Sequence, residues 1–304
     1  MTEPWFWARQ ERPAAVTRLV CLPYAGGIAS AYRTWESLVP RHMEVCPVEL
    51  PGHGARMSEE PFHRLQPLVH ALADALEPLL DRPCALFGHS MGGLVAFELA
   101  RLLRRRGWPA PCHLFISATP APLRRRDPVG GHDASDAGLK ARLRTLNGTP
   151  HEVLENDELM ALALPVLRAD FAVLETYEYQ EEPPLKVPIT VFGGIDDRTV
   201  RPQELEGWRA QSTSSRVRLL PGDHFFIHDL APELMGLVVE HLTMRWPHIV
   251  RGGRAKASIG AERLPAGDLE YVAQVDLACG QRDGLGAGES HSGHPSELGP
   301  QPDE

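Results

Sequence analysis

The sequence predicts an α/β domain built on a mostly parallel β-sheet, with helices covering both faces. Two observations predict this fold class. Six short runs are apolar almost throughout, and amphipathic segments of helical periodicity lie between them. Strands of this kind are typical of parallel sheets, because crossover helices bury both faces of the sheet. We place this domain over residues about 15–247.

The elements follow one another along the chain in the order that such a fold requires. The predicted strands cover residues 17–23, 43–50, 84–88, 112–117, 187–193 and 216–222. The predicted helices cover residues about 65–80, 91–106, 202–212 and 231–245. Each of these helices shows one apolar face, which it can bury against the sheet.

Three regions depart from this alternation. Residues about 120–185 contain helical patterns but no convincing strand, which predicts a helical lid inserted between two sheet strands. Residues 1–14 form an N-terminal extension. Residues 248–304 are rich in Gly, Ser, Pro and Glu, and we predict a disordered C-terminal tail there.

The composition excludes several classes of function. The net charge of −9 argues against general nucleic-acid binding. No apolar run reaches the roughly 18 residues that a membrane span needs, and the first residues lack the pattern of a secretion signal. Irregular cysteine spacing predicts reduced thiols in a cytoplasmic protein, not a disulfide framework or a metal site. The five cysteines are Cys21, Cys46, Cys84, Cys112 and Cys279.

A Gly-x-Ser-x-Gly pattern stands between the strand at 84–88 and the helix at 91–106. It consists of Gly88, Ser90 and Gly92. In this context the pattern predicts a nucleophile elbow, in which a sharp turn exposes the serine at the carboxyl end of the sheet. The glycines allow the strand and the helix to pass close together. Within the α/β fold class, the elbow predicts the α/β-hydrolase fold and assigns Ser90 as the nucleophile.

A serine nucleophile needs a base, and the base needs an orienting acid. His224 follows the last predicted strand, where the base is expected in this fold. The acid is expected after the strand at 187–193, where both Asp196 and Asp197 stand. We favour Asp197 because Val200 completes an Asp-x-x-Val pattern, and Asp196 remains the alternative.

The tetrahedral intermediate of such a reaction needs hydrogen-bond donors for its oxyanion. One is expected from the backbone N–H of Met91, the residue after the nucleophile. The other is expected from the loop after the first strand, residues 22–32, whose glycines allow the backbone to approach a ligand. We nominate the N–H of Ala25, with Tyr24 shaping the site.

Five motifs in this order resemble those of type II thioesterases, the discrete α/β-hydrolases that accompany modular polyketide synthases and nonribosomal peptide synthetases. The motifs are LPYAGGIASAYRTW, VELPGHGAR, FGHSMGG, VFGGIDDRTV and LPGDHFFI. The resemblance covers residues about 15–245. It leaves out the N-terminal extension and the tail.

The resemblance implies an enzyme that removes aberrant or stalled acyl groups from the phosphopantetheine arm of acyl or peptidyl carrier proteins. It implies no metal and no dissociable cofactor, because the phosphopantetheine belongs to the carrier protein. Carrier domains of this kind are typically acidic, so docking would need a local basic patch. The candidates are Arg124, Arg125 and Arg126, and the segment 101–107. We expect a monomer, with no nucleic-acid or membrane partner.

Two alternatives stay open at this point. Another serine esterase or an acyltransferase could share the fold, since fold alone does not determine the reaction. A catalytically silent hydrolase-like binding protein is the alternative from another class. The presence of Ser90, His224 and an acid together argues against a silent protein.

Overall fold

The structure, a computed structural model, describes residues 4–122, 131–149 and 151–245. The six strands are β1 (Thr17–Leu22), β2 (Met43–Pro47), β3 (Cys84–His89), β4 (His113–Ser117), β5 (Ile189–Gly194) and β6 (Ser215–Leu220). The α-helices are α1 (Leu65–Leu76), α2 (Met91–Arg106), α3 (Asp136–Leu146), α4 (His151–Leu154), α5 (Asp157–Glu175), α6 (Pro202–Leu205), α7 (Phe226–Asp229) and α8 (Ala231–Arg245).

The six strands form one sheet in the order β2-β1-β3-β4-β5-β6, and every neighbouring pair is parallel. The predicted fold class is therefore confirmed. The strand order reverses between β1 and β3, and Leu22 lies opposite Gly88 at the ends of these two strands. The loops that follow β1 and β3 consequently begin side by side, where open parallel sheets place their ligand sites.

Apolar cores lie on both faces of the sheet. On one face, α1 and α2 pack against it, with Leu72 and Phe97 among the buried residues. On the other, α8 and the 3-10 segment Ala29–Ser37 pack against it, with Trp35 and Val238 among the buried residues. Both faces are thus covered, which explains why β1 to β5 are buried along their whole length. The edge strand β6 is only partly buried.

The N-terminal extension contributes to the first of these cores. The side chains of Trp5 and Phe6 are buried within it. The N–H of Glu49 donates a hydrogen bond of 2.9 Å to the carbonyl of Trp5, which fixes the extension next to the loop after β2. The sequence did not predict this packing, because two aromatic residues before a polar stretch show no helical or strand periodicity.

The insertion between β4 and β5 is helical, as predicted. Helices α3, α4 and α5, which we call the lid helices, bury a small apolar cluster of their own that includes Leu139, Met160 and Phe171. Two side-chain caps begin the longer helices. Ser135 Oγ accepts from the N–H of Gly138, and Asn156 Oδ1 accepts from the N–H of Leu159.

One predicted helix is shorter than the sequence suggested. The segment 202–212 forms the single turn α6, followed by the 3-10 segment Glu206–Ala210. Gly207 weakens a regular helix at this point. The indole of Trp208 is buried, and its Nε1–H donates to the carbonyl of Thr119, which holds the tighter turn.

Two further predictions concern the ends of the chain and its relation to membranes. The predicted tail, 248–304, lies outside the described residues. Within the described ranges, no helix combines the length and the apolar character that crossing a bilayer requires.

Four cysteines of these ranges, Cys21, Cys46, Cys84 and Cys112, are free and buried.

Candidate active site

Ser90 occupies a sharp turn between β3 and α2. Its backbone has φ 53° and ψ −112°, a strained conformation for a residue with a side chain. A Cβ on Gly88 would lie 2.0 Å from the carbonyl oxygen of Gly92, and one on Gly92 would lie 2.2 Å from that of Leu22. Only glycine fits at these two positions, so the predicted elbow is present.

The structure brings Ser90, His224 and Asp197 into one hydrogen-bonded chain. Ser90 Oγ lies 3.1 Å from His224 Nε2, and His224 Nδ1 lies 2.8 Å from Asp197 Oδ2. The Asp197 side chain is fully buried, whereas Asp196 is exposed on the same loop. Of the two aspartates that the sequence left open, the structure therefore places Asp197 against the histidine.

The Asp197 carboxylate is held from both sides. Its Oδ1 accepts hydrogen bonds from the N–H of Thr199 (2.7 Å), from the Thr199 hydroxyl (2.7 Å) and from the N–H of Val200 (3.0 Å). Burial alone would raise the pKa of Asp197, but the hydrogen bond from His224 and these three donors outweigh it and lower the pKa. The carboxylate therefore stays ionised and can stabilise a protonated His224.

Two further histidines, His89 and His228, lie near the site, but their rings have hydrogen-bond partners other than Ser90. His89 is fully buried, and its Nδ1 lies 2.9 Å from the hydroxyl of Ser117, beneath the elbow. Burial, together with the nearby His224 and His228, lowers the pKa of His89 well below its usual range. Burial also lowers the pKa of His228, whose Nε2 lies 3.2 Å from the Tyr24 hydroxyl. Among the described residues, neither ring is hydrogen-bonded to the Ser90 hydroxyl, which pairs with His224 instead.

The expected oxyanion donors follow β1 and β3, Ala25 in the loop after β1 and Met91 at the start of α2. Met91 is the first residue of α2, so its N–H has no partner within the helix and carries the positive end of the helix dipole. Ala25 lines the same cavity as Ser90 and His224. The neighbouring loop residue Gly26 has its N–H bound to the Asp170 carboxylate of α5, at 2.7 Å.

An apolar cavity of about 790 Å³ opens above Ser90 and His224. The lid helices form one wall of it, and the loops after β1, β3, β5 and β6 form the floor. Such a volume is large enough for a small-molecule ligand or an acyl chain. The lid side chains that line it include Leu143, Leu146, Val153, Leu159, Leu162, Val166, Leu167 and Phe171.

Of the two predicted basic patches, the structure describes only the segment 101–107. Arg124, Arg125 and Arg126 lie outside the described residues. In the segment 101–107 the arginines are engaged by acidic side chains. Arg101 pairs with Glu98 and Glu182, Arg104 and Arg105 pair with Glu182, and Arg106 pairs with Asp74. This segment therefore ties α2 to the chain after the lid, instead of presenting an unneutralised basic surface.

Three side chains around the site were not predicted from the sequence. The hydroxyl of Thr199 lies 2.9 Å from His224 Nδ1 as well as bonding Asp197. Asp170 binds the loop after β1, and His53 binds Asp170 in turn. Thr199 could have been found as the second residue after an aspartate in a turn. Asp170 and His53 lie 117 residues apart in the sequence, and their spacing carries no signal.

The fold and the site together define a serine hydrolase-like protein of the α/β-hydrolase fold. The family model described as thioesterase domain matches residues 17–242. The chain belongs to the thioesterase family, and the predicted enzyme class, a hydrolase that acts on thioesters, is confirmed with it.

Relatives and solved structures agree with this assignment. The gramicidin S biosynthesis protein GrsT of Aneurinibacillus migulanus is 42% identical over 241 residues, which cover 79% of this chain and 94% of GrsT. RedJ, a thioesterase of the prodiginine pathway in Streptomyces coelicolor, is 41% identical with a TM-score of 0.72, over 76% of this chain and 88% of RedJ. YbtT, a type II thioesterase of the yersiniabactin pathway, is 35% identical with a TM-score of 0.70, over 80% and 97%. The resemblance to type II thioesterases is thus confirmed.

Proposed function

We propose that this protein hydrolyses acyl groups from the phosphopantetheine arm of acyl or peptidyl carrier proteins, and so clears aberrant or stalled chains from a modular synthase. The observation that carries the proposal is the hydrogen-bonded Ser90 and His224 at the floor of an apolar cavity under the lid helices. That cavity can hold an acyl chain while its thioester carbonyl lies against the serine. The editing role is supported by the relatives, since YbtT is a type II thioesterase of a mixed nonribosomal peptide and polyketide pathway.

In the first half of the proposed reaction, the acyl group moves from sulfur to oxygen. Ser90 Oγ attacks the thioester carbonyl carbon while His224 Nε2 takes the serine proton. The N–H groups of Met91 and Ala25 hold the oxyanion of the tetrahedral intermediate. The carbon–sulfur bond then breaks, His224 returns its proton to the sulfur, and the free phosphopantetheine thiol leaves.

In the second half, water releases the acid. His224 Nε2 takes a proton from a water molecule that attacks the acyl-serine carbonyl. The carbon–oxygen bond to Ser90 breaks, and His224 gives the proton back to Ser90 Oγ. Asp197 accepts a hydrogen bond from His224 Nδ1 throughout, which fixes the ring and stabilises its protonated form.

The proposal includes the cellular setting. Apart from one water molecule, every group that the reaction needs comes from the chain or from the carrier protein, so we propose that no metal and no dissociable cofactor takes part. The described cysteines are free thiols, which supports a reducing compartment such as the cytoplasm. A monomer is the proposed state.

The proposal is tested by comparing acyl-carrier proteins with oxygen esters of the same acyl groups. We expect kcat/KM to be higher for the carrier-bound thioesters, because a carrier adds binding energy beyond the cavity. The measurement is the rate of acid release over a panel of acyl chains. Equal or higher kcat/KM for the free oxygen esters would favour a general esterase instead.

We propose that Arg124, Arg125 and Arg126 help to dock the acidic carrier protein. Replacing the three arginines with glutamate is then expected to raise KM for an acyl-carrier protein by roughly 10-fold, since opposite charges steer and hold such partners. KM for a small acyl thioester should not change. An equal rise in KM for both substrates would contradict a docking role.

A further inference from the structure

The motif VELPGHGAR, residues 48–56, takes no direct part in the proposed chemistry of Ser90. It follows β2, and the structure packs it against the loop after β1. That loop, residues 22–32, carries Ala25, a proposed oxyanion donor. Two buried carboxylates, those of Glu49 and Asp170, accept hydrogen bonds from backbone amides of this loop. The motif supplies Glu49 itself and His53, the side chain that pairs with Asp170.

The first carboxylate is that of Asp170, on the lid helix α5. Its Oδ2 accepts from the N–H of Gly26 at 2.7 Å and from His53 Nε2 at 2.8 Å. The side chains of Asp170 and His53 are 4% and 2% exposed, so water competes little for these bonds. One oxygen therefore joins the lid, the loop after β1 and the motif after β2.

The hydrogen bonds of His53 determine its charge. Its Nδ1 lies 3.0 Å from the carbonyl oxygen of Pro51, and a carbonyl can only accept. Nδ1 therefore carries one ring proton, which it donates to this carbonyl. Nε2 can then donate to the Asp170 carboxylate only if the ring carries a second proton. Burial alone would lower the pKa of His53, but the hydrogen bond and charge of Asp170 outweigh it and raise the pKa. His53 and Asp170 thus form a buried ion pair.

The second carboxylate is that of Glu49, within the motif. Its Oε1 accepts from the N–H of Ala29 at 3.1 Å, and its Oε2 accepts from the Trp7 indole at 2.8 Å. A Cβ on Gly54 would lie 2.5 Å from Glu49 Oε2, so glycine leaves room for the carboxylate. The loop is consequently bound at two amides, three residues apart.

The position of Gly26 makes the first contact important for the oxyanion site. Gly26 has a φ of 76°, and a Cβ there would lie 2.7 Å from Leu167 Cδ2 of α5. Glycine therefore permits both the turn and the close approach of the lid helix. Because the Gly26 N–H shares a peptide plane with the Ala25 carbonyl, fixing that N–H restricts the backbone of Ala25.

We propose that the His53–Asp170 pair is a positioning device for the oxyanion site. Asp170 holds the Gly26 amide, and with it the N–H of Ala25, at the geometry that the tetrahedral intermediate needs. His53 holds Asp170 in place. The lid helix α5 thereby completes the oxyanion site and also forms part of the cavity wall. This inference rests on the proposed function, because it assigns the pair a part in that same reaction.

The test compares Asp170→Ala with Glu175→Ala. Glu175 is a matched control on the same helix: its buried carboxylate pairs with His132 and Arg142, neither of which belongs to the loop after β1. On a small acyl thioester, Asp170→Ala should lower kcat by about 10- to 100-fold with KM within about 2-fold, because a misplaced donor weakens transition-state binding alone. Glu175→Ala should leave kcat within about 2-fold of wild type, because Glu175 has no partner in the loop after β1 among the hydrogen bonds of the described residues.

A transition-state analogue gives an independent readout. A trifluoromethyl ketone of the same acyl chain adds Ser90 Oγ to its carbonyl carbon, and the resulting oxyanion occupies the proposed site. Its affinity should fall in Asp170→Ala by the same factor as kcat, while the affinity for the free acid product stays unchanged. Asp170→Asn should recover part of the loss, because the amide oxygen still accepts from Gly26. The double variant His53→Ala/Asp170→Ala should be no worse than Asp170→Ala.

The two proposals fail in different ways. Wild-type protein that binds the ketone but hydrolyses no thioester would contradict the proposed function. Unchanged kcat and unchanged ketone affinity in a folded Asp170→Ala variant would overturn the positioning role. A rise in KM with kcat unchanged would also overturn it, since that result assigns Asp170 to ground-state binding. Thermal unfolding identifies whether each variant is folded.

Discussion

Replacing Ser90 with alanine is expected to lower kcat for acyl-thioester hydrolysis by on the order of 10⁶-fold, the loss that removal of a triad serine produces. Ser90 Oγ is the group that would carry the acyl chain, and its hydrogen bond of 3.1 Å to His224 Nε2 prepares it to lose its proton. Without the hydroxyl no acyl-enzyme can form, and only slow direct attack by water remains. The measurement is release of the free thiol from an acyl-carrier protein.

The controls separate chemistry from folding. Alanine keeps the Cβ of Ser90, so the strain at φ 53° is unchanged and the midpoint of thermal unfolding should stay close to that of wild type. Ser90→Gly should also be inactive but more stable, because glycine adopts a positive φ without strain. Turnover near the wild-type rate in a folded Ser90→Ala protein would exclude Ser90 as the nucleophile.

Asp197→Asn is expected to lower kcat by about 10⁴-fold, as the equivalent change does in a serine protease triad. The asparagine amide can donate to His224 Nδ1, which would place the ring proton on Nε2, where Ser90 needs an acceptor. The neutral side chain also no longer stabilises the protonated ring. The measurement is kcat on the same acyl-carrier substrate, with Thr199 and Val200 still able to bind the remaining oxygen.

Asp196→Asn is the matched control, since it makes the same chemical change one residue earlier. Asp196 is exposed, and its backbone N–H bonds the carbonyl of Gly222 whatever the side chain. We expect its kcat to stay within about 2-fold of wild type, as is usual for a surface change. A larger loss for Asp196→Asn than for Asp197→Asn would assign the acid to Asp196.

The sequence predicted those parts of the site that follow from chain order. In a parallel sheet the carboxyl ends of all strands lie at one end of the sheet, so Ser90 after β3 and Asp197 after β5, with β4 between them, could be placed there from their strands alone. Choosing between Asp196 and Asp197 required the structure. Both follow β5, and only the turn of the loop decides which one is buried.

Contacts between segments that are distant in the sequence could not be predicted. His53 and Asp170 are 117 residues apart, and each is unremarkable in its own segment. Helical periodicity predicted that the insertion is helical. It did not predict that α5 lies against the loop after β1, because that placement depends on the close approach at Gly26. The packing of Trp5 in the core could not be predicted either, because a short aromatic segment carries no periodic signal.

The most direct test of Ser90 as the nucleophile that carries the acyl group is to follow the acyl group itself. Wild-type protein is mixed with an acyl-carrier protein, quenched with acid within milliseconds and analysed by mass spectrometry. We predict that the acyl mass appears on the peptide containing Ser90 while the carrier is released with a free phosphopantetheine thiol. We also predict that Ser90→Ala leaves the acyl group on the carrier. Release of the acid by the wild-type protein with no acyl adduct at Ser90, or by Ser90→Ala at a similar rate, would contradict this role of Ser90.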